Sequence, residues 1–271
     1  MNTKSGWQLR DDGAEAYEKY IVPAFSDTWA QNLVDRASLR NGDRILEIGC
    51  GTGIVTRHAY RSMGESVSLT GVDVNEIVLK KAREICPPDT TSIEWKQCNA
   101  EDLPFCDSQF DVVLCQQGLQ YFPDRSKALT EVNRVLESGG RAFFSVWRSL
   151  EYFPFYLALH KALERYVDEE AAFTLSSAFT LGDASQLRDL FESAGFKNIK
   201  IRLEIKQMRY SPFLEFLIGG LAASPFGNAI LELRESIREE MFQSIQESIS
   251  DYTDDHGLAA PMECHIVSAE R

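Results

Sequence analysis

Histidine and cysteine are scarce in this chain of 271 residues, which has four of the first and six of the second. The cysteines (Cys50, Cys86, Cys98, Cys106, Cys115 and Cys264) form no C-x-x-C pair and have no histidine at zinc-ligand spacing, so neither a metal site nor a disulfide framework is expected. They read as the reduced thiols of a cytoplasmic protein. Basic residues are outnumbered, 28 against 41 acids, and the formal net charge of -13 disfavours a general binder of nucleic acid or anionic membrane. Long apolar runs are missing as well. The most apolar stretch, Phe213 to Ala223, is interrupted by Glu215 and falls far short of the ~20 residues that span a bilayer. The opening MNTKSGWQLRDDGAEAYEKY lacks the basic start and apolar core of a secretory signal. What is present, 44% hydrophobic and 25% charged residues without repeats, suits one elaborated globular domain.

The first 150 residues alternate short β-rich runs with helical stretches, the pattern of a parallel α/β sheet. Strands are expected at Arg44 to Ile48, Val67 to Asp73, Ile93 to Asn99, Phe110 to Leu114 and Arg141 to Trp147. Helices are expected at Ile54 to Ser62, at Asn75 to Ile85 with Pro87 and Pro88 as the stop, and at Ser126 to Leu136. Ser138, Gly139 and Gly140 then end the third helix and turn the chain into the fifth strand. Ahead of the sheet, residues 14 to 38 read as two helices broken near Pro23. After Trp147 come a helix from Tyr152 to Val167, another from Ala184 to Ala194, an alternating strand from Ile199 to Tyr210, a helical block over 211 to 250 and a last strand at Glu263 to Ala269.

Ile45-Leu46-Glu47-Ile48-Gly49-Cys50-Gly51-Thr52-Gly53-Ile54 is an apolar strand entering a glycine-rich turn and then a helix. Such a turn lets backbone approach a ligand at a strand's carboxyl end, where open α/β sheets bind. Twenty residues past Gly53, Asp73 closes the second strand, placing a carboxylate where it can accept both hydroxyls of a ribose or cap the following helix. Nicotinamide enzymes and proteins that bind a nucleoside sulfonium share this pair of features. Nicotinamide sites favour G-x-G-x-x-G/A, whereas Gly49-x-Gly51-x-Gly53 is followed by Ile54 at the third small position.

These motifs continue in Asn99-Ala100-Glu101-Asp102-Leu103-Pro104-Phe105, Phe110-Asp111-Val112-Val113-Leu114 and Leu136-Glu137-Ser138-Gly139-Gly140. In that order the sequence resembles the class I S-adenosylmethionine (SAM) dependent methyltransferases, in the small-molecule branch that includes ubiquinone and menaquinone biosynthesis enzymes. The resemblance implies a doubly wound, seven-stranded Rossmann-like sheet with its last strand antiparallel. It places a helical cap at 1–40, a SAM-binding core at 41–148, helical lid insertions at 149–182 and 211–257, and the rest of the sheet at 183–210 and 258–271. It further implies that Gly49, Cys50 and Gly51 line the methionyl part of SAM, that Asp73 holds the ribose and that Val74 packs on adenine. Asn99 stands where many relatives have Asp, with Ala100 and Glu101 as further contacts. An N-terminal helix closes the site in this family, which points to Tyr17, Tyr20 and Phe25 as covering residues.

Cys115-Gln116-Gln117-Gly118-Leu119-Gln120-Tyr121-Phe122 follows the fourth strand and lacks the N/D-P-P-Y/F sequence common in methylases of nucleobase amines and glutamine amides. Cys115 and Gln116 are candidates for the amino-acid end of SAM, while Gln120 and Tyr121 read as packing residues. Tyr17, Tyr20 and Phe25 before the sheet, Trp147 at the end of the fifth strand, and Phe153, Phe155 and Tyr156 after it can converge over the cleft as an apolar acceptor pocket, or join lid to core. Among the histidines, His58 and His265 read as structural and His160 is the one to test as a general base. The expected activity is methyl transfer from SAM, leaving S-adenosylhomocysteine (SAH), to a small hydrophobic or aromatic metabolite. No metal, nucleic-acid partner or membrane insertion is expected, and a homodimer is left open. A SAM-binding sensor or partner protein that does not turn over, and a nicotinamide oxidoreductase, are the alternatives.

Overall fold

Strands buried on both faces form the centre of the sheet in the computed structural model, which describes residues 11–86 and 93–271. β1 (Arg44–Ile48), β2 (Ser68–Asp73), β3 (Ile93–Gln97), β4 (Phe110–Gln116) and β5 (Leu136–Trp147) lie parallel in the order β3-β2-β1-β4-β5. Ile45, Leu46 and Ile48 of β1 and Val112, Val113 and Leu114 of β4 are almost inaccessible, as helices on both faces require. β6 (Lys197–Tyr210), β7 (Thr253–Asp254) and β8 (Gly257–Glu270) complete the sheet. β8 pairs antiparallel with β5 on one side and β6 on the other. The seven-stranded sheet with its last strand antiparallel is therefore present, and the two-residue β7 adds a short hairpin to β8.

α1 (Asp11–Ala16) passes through a π-helical stretch (Tyr17–Ser26) into α2 (Asp27–Ala37). The expected break at Pro23 is absent: Ala16, Ser26 and Asp27 all have right-handed helical angles, and the Asp27 N–H donates to Val22 O, five residues back. A wider helical turn accommodates a proline that an α-helical turn would expel. The remaining helices are α3 (Ile54–Met63), α4 (Glu76–Ile85), α5 (Arg125–Val135), α6 (Pro154–Tyr166), α7 (Glu169–Ser176), α8 (Ala184–Ser193), α9 (Phe213–Ala222), α10 (Gly227–Leu231) and α11 (Glu235–Ser248). Side-chain caps start several of them. Asn75 accepts from Ile77 N–H at 3.0 Å, Asp124 from Lys127 N–H at 2.9 Å and Asp168 from Ala171 N–H at 2.7 Å.

One further expectation is corrected. α5 stops at Val135, and Leu136 already pairs with Phe110, so Ser138, Gly139 and Gly140 form an irregularity inside β5 instead of a helix stop. The block at 211–250 is helical as expected, divided into α9, α10 and α11. Pro87 and Pro88 lie outside the described residues.

The core has two layers. On one face Trp147 meets Trp29 and Phe153 edge-on, with ring centroids 5.7 and 5.6 Å apart; on the other Phe144 meets Phe191 at 5.1 Å. α9 lies against the π-helical stretch so closely that a Cβ at Gly219 would fall 2.3 Å from the Tyr20 ring. The two helical insertions thus share the face that carries the N-terminal helices.

Candidate functional site

β1 ends at Ile48, and Gly49, Gly51 and Gly53 follow at φ +63°, +55° and +82°, the left-handed region that glycine enters without strain. Gly53 is constrained a second time, because a Cβ there would lie 2.4 Å from the Trp95 ring of β3. At Gly51 a Cβ would meet nothing within 4 Å among the described residues, so toward them this part of the turn faces open space. Asp73 ends β2 beside it. Its Oδ2 accepts from the Gly51 N–H and its Oδ1 from the Asn75 N–H, both at 2.9 Å. Burial raises the Asp73 pKa, and these N–H groups counter the rise. Each oxygen keeps capacity for another donor.

The turn and Asp73 line a cavity of about 230 Å³, together with Val74, Asn99, Ala100 and Phe122. Val74 is 50% exposed at this site, an apolar side chain left half uncovered. A second cavity, of about 180 Å³, adjoins the first, and Tyr17 and Tyr121 line both. Its walls come from the π-helical stretch, the end of β4, Trp147 and the insertions α6, α7, α9 and α10's approach. No Asp, Glu, His, Lys or Arg lines it among the described residues.

Ionic contacts fasten the N-terminal helices over this end of the sheet. Glu18 accepts from Arg57 Nη2 at 3.0 Å and from the Thr52 hydroxyl, while Arg57 Nη1 donates to Thr52 O at 2.7 Å. Glu15 pairs with Lys81, and His58 Nε2 donates to Asp27 at 2.8 Å. Tyr17, one residue before Glu18, is thereby held at the boundary of the two cavities, its hydroxyl 2.7 Å from Ser26 Oγ.

Residues 46–144 match the family model of the methyltransferase domain. Among curated proteins, the demethylmenaquinone methyltransferase of Staphylococcus carnosus is 32% identical over 185 residues, covering 64% of this chain and 76% of that protein. The chain belongs to the SAM-dependent methyltransferases. Solved structures agree in fold. Phosphoethanolamine N-methyltransferase 2 of Haemonchus contortus, in complex with SAM, superposes with a TM-score of 0.63 at 18% identity over 97% of this chain and 57% of that one. The YcgJ protein of Bacillus subtilis gives 0.60 at 18% identity over 90% and 98%. The methyl donor of this small-molecule methyltransferase family is SAM. The residues present suit it: an open glycine turn, a carboxylate with unused lone pairs and a half-exposed apolar side chain stand around one cavity.

Of the residues singled out from this methyltransferase's sequence, Tyr17, Gly49, Gly51, Asp73, Val74, Asn99 and Ala100 line the 230 Å³ cavity. Phe25 and Gln116 line the other one. Tyr20 lines neither and packs on Tyr210, with ring centroids 6.2 Å apart. Cys50 and Cys115 are buried behind the walls, and burial raises both thiol pKa values. Glu101 turns away to accept from the Asp124 N–H at 2.8 Å. His160 reaches neither cavity: its Nδ1 donates to Ala172 O at 3.0 Å and ties α6 to α7, so it is in no position to act as the base. His265 Nε2 donates to Gly182 O at 2.9 Å. Phe155 and Tyr156 line the 180 Å³ cavity, while Phe153 is buried under Trp147. Tyr121, which sequence reasoning assigns to packing, is at the boundary; its signal is its place just beyond the carboxyl end of β4. Among the described residues no helix is long and apolar enough to cross a membrane.

Proposed function

We propose that this chain methylates a small, uncharged, apolar or aromatic acceptor in the 180 Å³ cavity, with SAM in the adjoining 230 Å³ cavity. The observation that carries the reading is the shared boundary. In-line displacement requires donor and acceptor to meet end to end, and Tyr17 and Tyr121 line both spaces. SAM supplies an activated methyl group on a cationic sulfonium. Asp73 accepts the ribose hydroxyls, Val74 packs on adenine, Asn99 and Ala100 bound the base, and Gly49 and Gly51 leave room for the methionyl end. Apolar walls exclude water, so holding the reactants in line supplies on the order of 7 to 11 kcal/mol without a dedicated base. The relatives lend support, since their named acceptor, demethylmenaquinone, is an apolar ring compound.

Calorimetric titration with SAM, SAH and NADH tests the assignment. SAM and SAH are expected to bind and NADH to give no heat. Asp73→Ala is expected to weaken SAM by about 10- to 100-fold, the worth of hydrogen bonds to a charged group. Undiminished SAM affinity in that variant would remove Asp73 from the site.

A further inference from the structure

Gln116, the last residue of β4, lines the 180 Å³ cavity, and only half of its carboxamide is used. Nε2 donates to the Ser26 carbonyl at 3.1 Å, which fixes the orientation of the amide because a carbonyl only accepts. Oε1 is buried and has no hydrogen-bond partner among the described residues. An acceptor left this way is unfavourable unless a donor arrives with a ligand. Ser26 also bonds the Tyr17 hydroxyl, so Gln116 is tied to the residue where the two cavities meet.

The same cavity offers no proton acceptor. No acidic or basic side chain lines it among the described residues. Burial pushes the Tyr17 hydroxyl up to about 12 and raises Tyr121 and Tyr156 as well, so these phenols stay protonated near neutrality. A charged acceptor finds no counter-ion there, and a hydroxyl has nothing to take its proton before transfer.

We infer that Gln116 Oε1 accepts an N–H of a neutral amine whose nitrogen is the atom methylated. This rests on the acceptor cavity proposed above. A neutral amine keeps a lone pair for the methyl carbon while its N–H points at Oε1. The N–CH3 bond forms from that lone pair as the S–CH3 bond breaks, and the electron pair of the broken bond stays on sulfur. The positive charge passes from sulfur to nitrogen, so the net charge of the site is unchanged. The N–H to Oε1 bond becomes charge-assisted and strengthens as the reaction proceeds. The proton goes to water once the product has left.

Indoline, a neutral aromatic amine, and indane, its isostere with CH2 in place of NH, provide the test, with benzoate as the anionic control. A cavity of about 150 Å³ holds benzene, so these compounds are matched to the available space. Their binding to the SAH-saturated protein is measured by ligand-observed NMR. Indoline is expected to bind roughly 3- to 10-fold tighter than indane, the worth of one hydrogen bond, and benzoate not at all. Gln116→Met keeps the length of the side chain and loses Oε1, so the preference for indoline is expected to vanish; its SAH affinity reports whether the fold is retained. With SAM in place of SAH, wild type is expected to yield N-methylindoline. Equal binding of indoline and indane to wild type, or a preference that survives in Gln116→Met, overturns the role of Gln116 while leaving the acceptor cavity standing. Failure of both to bind while SAH binds overturns the cavity assignment as well. The wild-type comparison needs no variant, so a misfolded substitution does not shelter the inference.

Discussion

Glu47 shows how a single buried acid sets a pH dependence. Its Oε2 accepts from the Thr56 N–H at 2.8 Å and from the Thr56 hydroxyl, yet burial pushes its pKa from 4.5 up to about 7. Between those values the folded protein holds a proton that the unfolded chain has released, so stability falls as pH rises from about 4.5 to about 7 and is level above that. The full penalty is about 3 kcal/mol at 1.36 kcal/mol per unit. Glu47→Gln keeps an oxygen for Thr56 and cannot ionise. Urea melts are expected to show it more stable than wild type by roughly 1 to 3 kcal/mol at pH 8, with the gain gone at pH 4. A gain that is equal at both pH values would show that ionisation of Glu47 is not its source. Individual residues were legible in the sequence where a strand end fixes them, as with Asp73 and the glycines of the turn. They were not legible where strand alternation decides: Cys115 and Gln116 are neighbours in β4, and successive side chains point to opposite faces, so one enters the core and the other a cavity.

The N-terminal helical run is an element whose position depends on charge more than on shape. Glu18 joins Arg57 and Thr52, and Arg57 is itself buried, so truncating the acid leaves a guanidinium without its counter-ion. Glu18→Ala is expected to loosen the π-helical stretch and withdraw Tyr17 from the boundary between the cavities. Amide exchange should accelerate over residues 17–26, and SAH affinity should fall about tenfold, equivalent to 1.4 kcal/mol. Unchanged affinity with faster exchange would mean that the run covers the cleft without contributing to binding. This element also shows where a local rule misleads. Pro23 signals a break only on the assumption of α-helical turns, and the widened turn through Tyr17–Ser26 removes the clash on which the rule rests. The starts of α4 and α5 were legible to within a residue, at Asn75 and Ser126, but the side chains that cap them, Asn75 and Asp124, were not singled out as caps.

At the scale of the whole molecule, the order of strands and helices was readable from periodicity, and the aromatics before β1 and after β5 were expected as one reading to converge over the cleft, whereas the share that α9 takes in that cavity was not foreseen. Tyr17 and Phe25, Phe155 and Tyr156, and Phe216 and Leu217 come from separate parts of the chain and line the same space. Each aromatic alone is equally consistent with core packing, and only the assembled fold brings them together. That convergence makes global stability and site closure one problem. A ligand bound only by the folded state at 100 times its Kd adds about 2.7 kcal/mol, which for a domain of this size raises Tm by about 5 to 10 °C. SAH is expected to produce such a shift in scanning calorimetry. Hydrogen exchange then separates two origins for it. If the insertions and the N-terminal run close over the cofactor, protection rises in α6, α9 and the π-helical stretch as well as at the glycine turn. If protection rises only at the turn and the end of β2, SAH stabilises the sheet alone, and the insertions must be ordered by the acceptor instead.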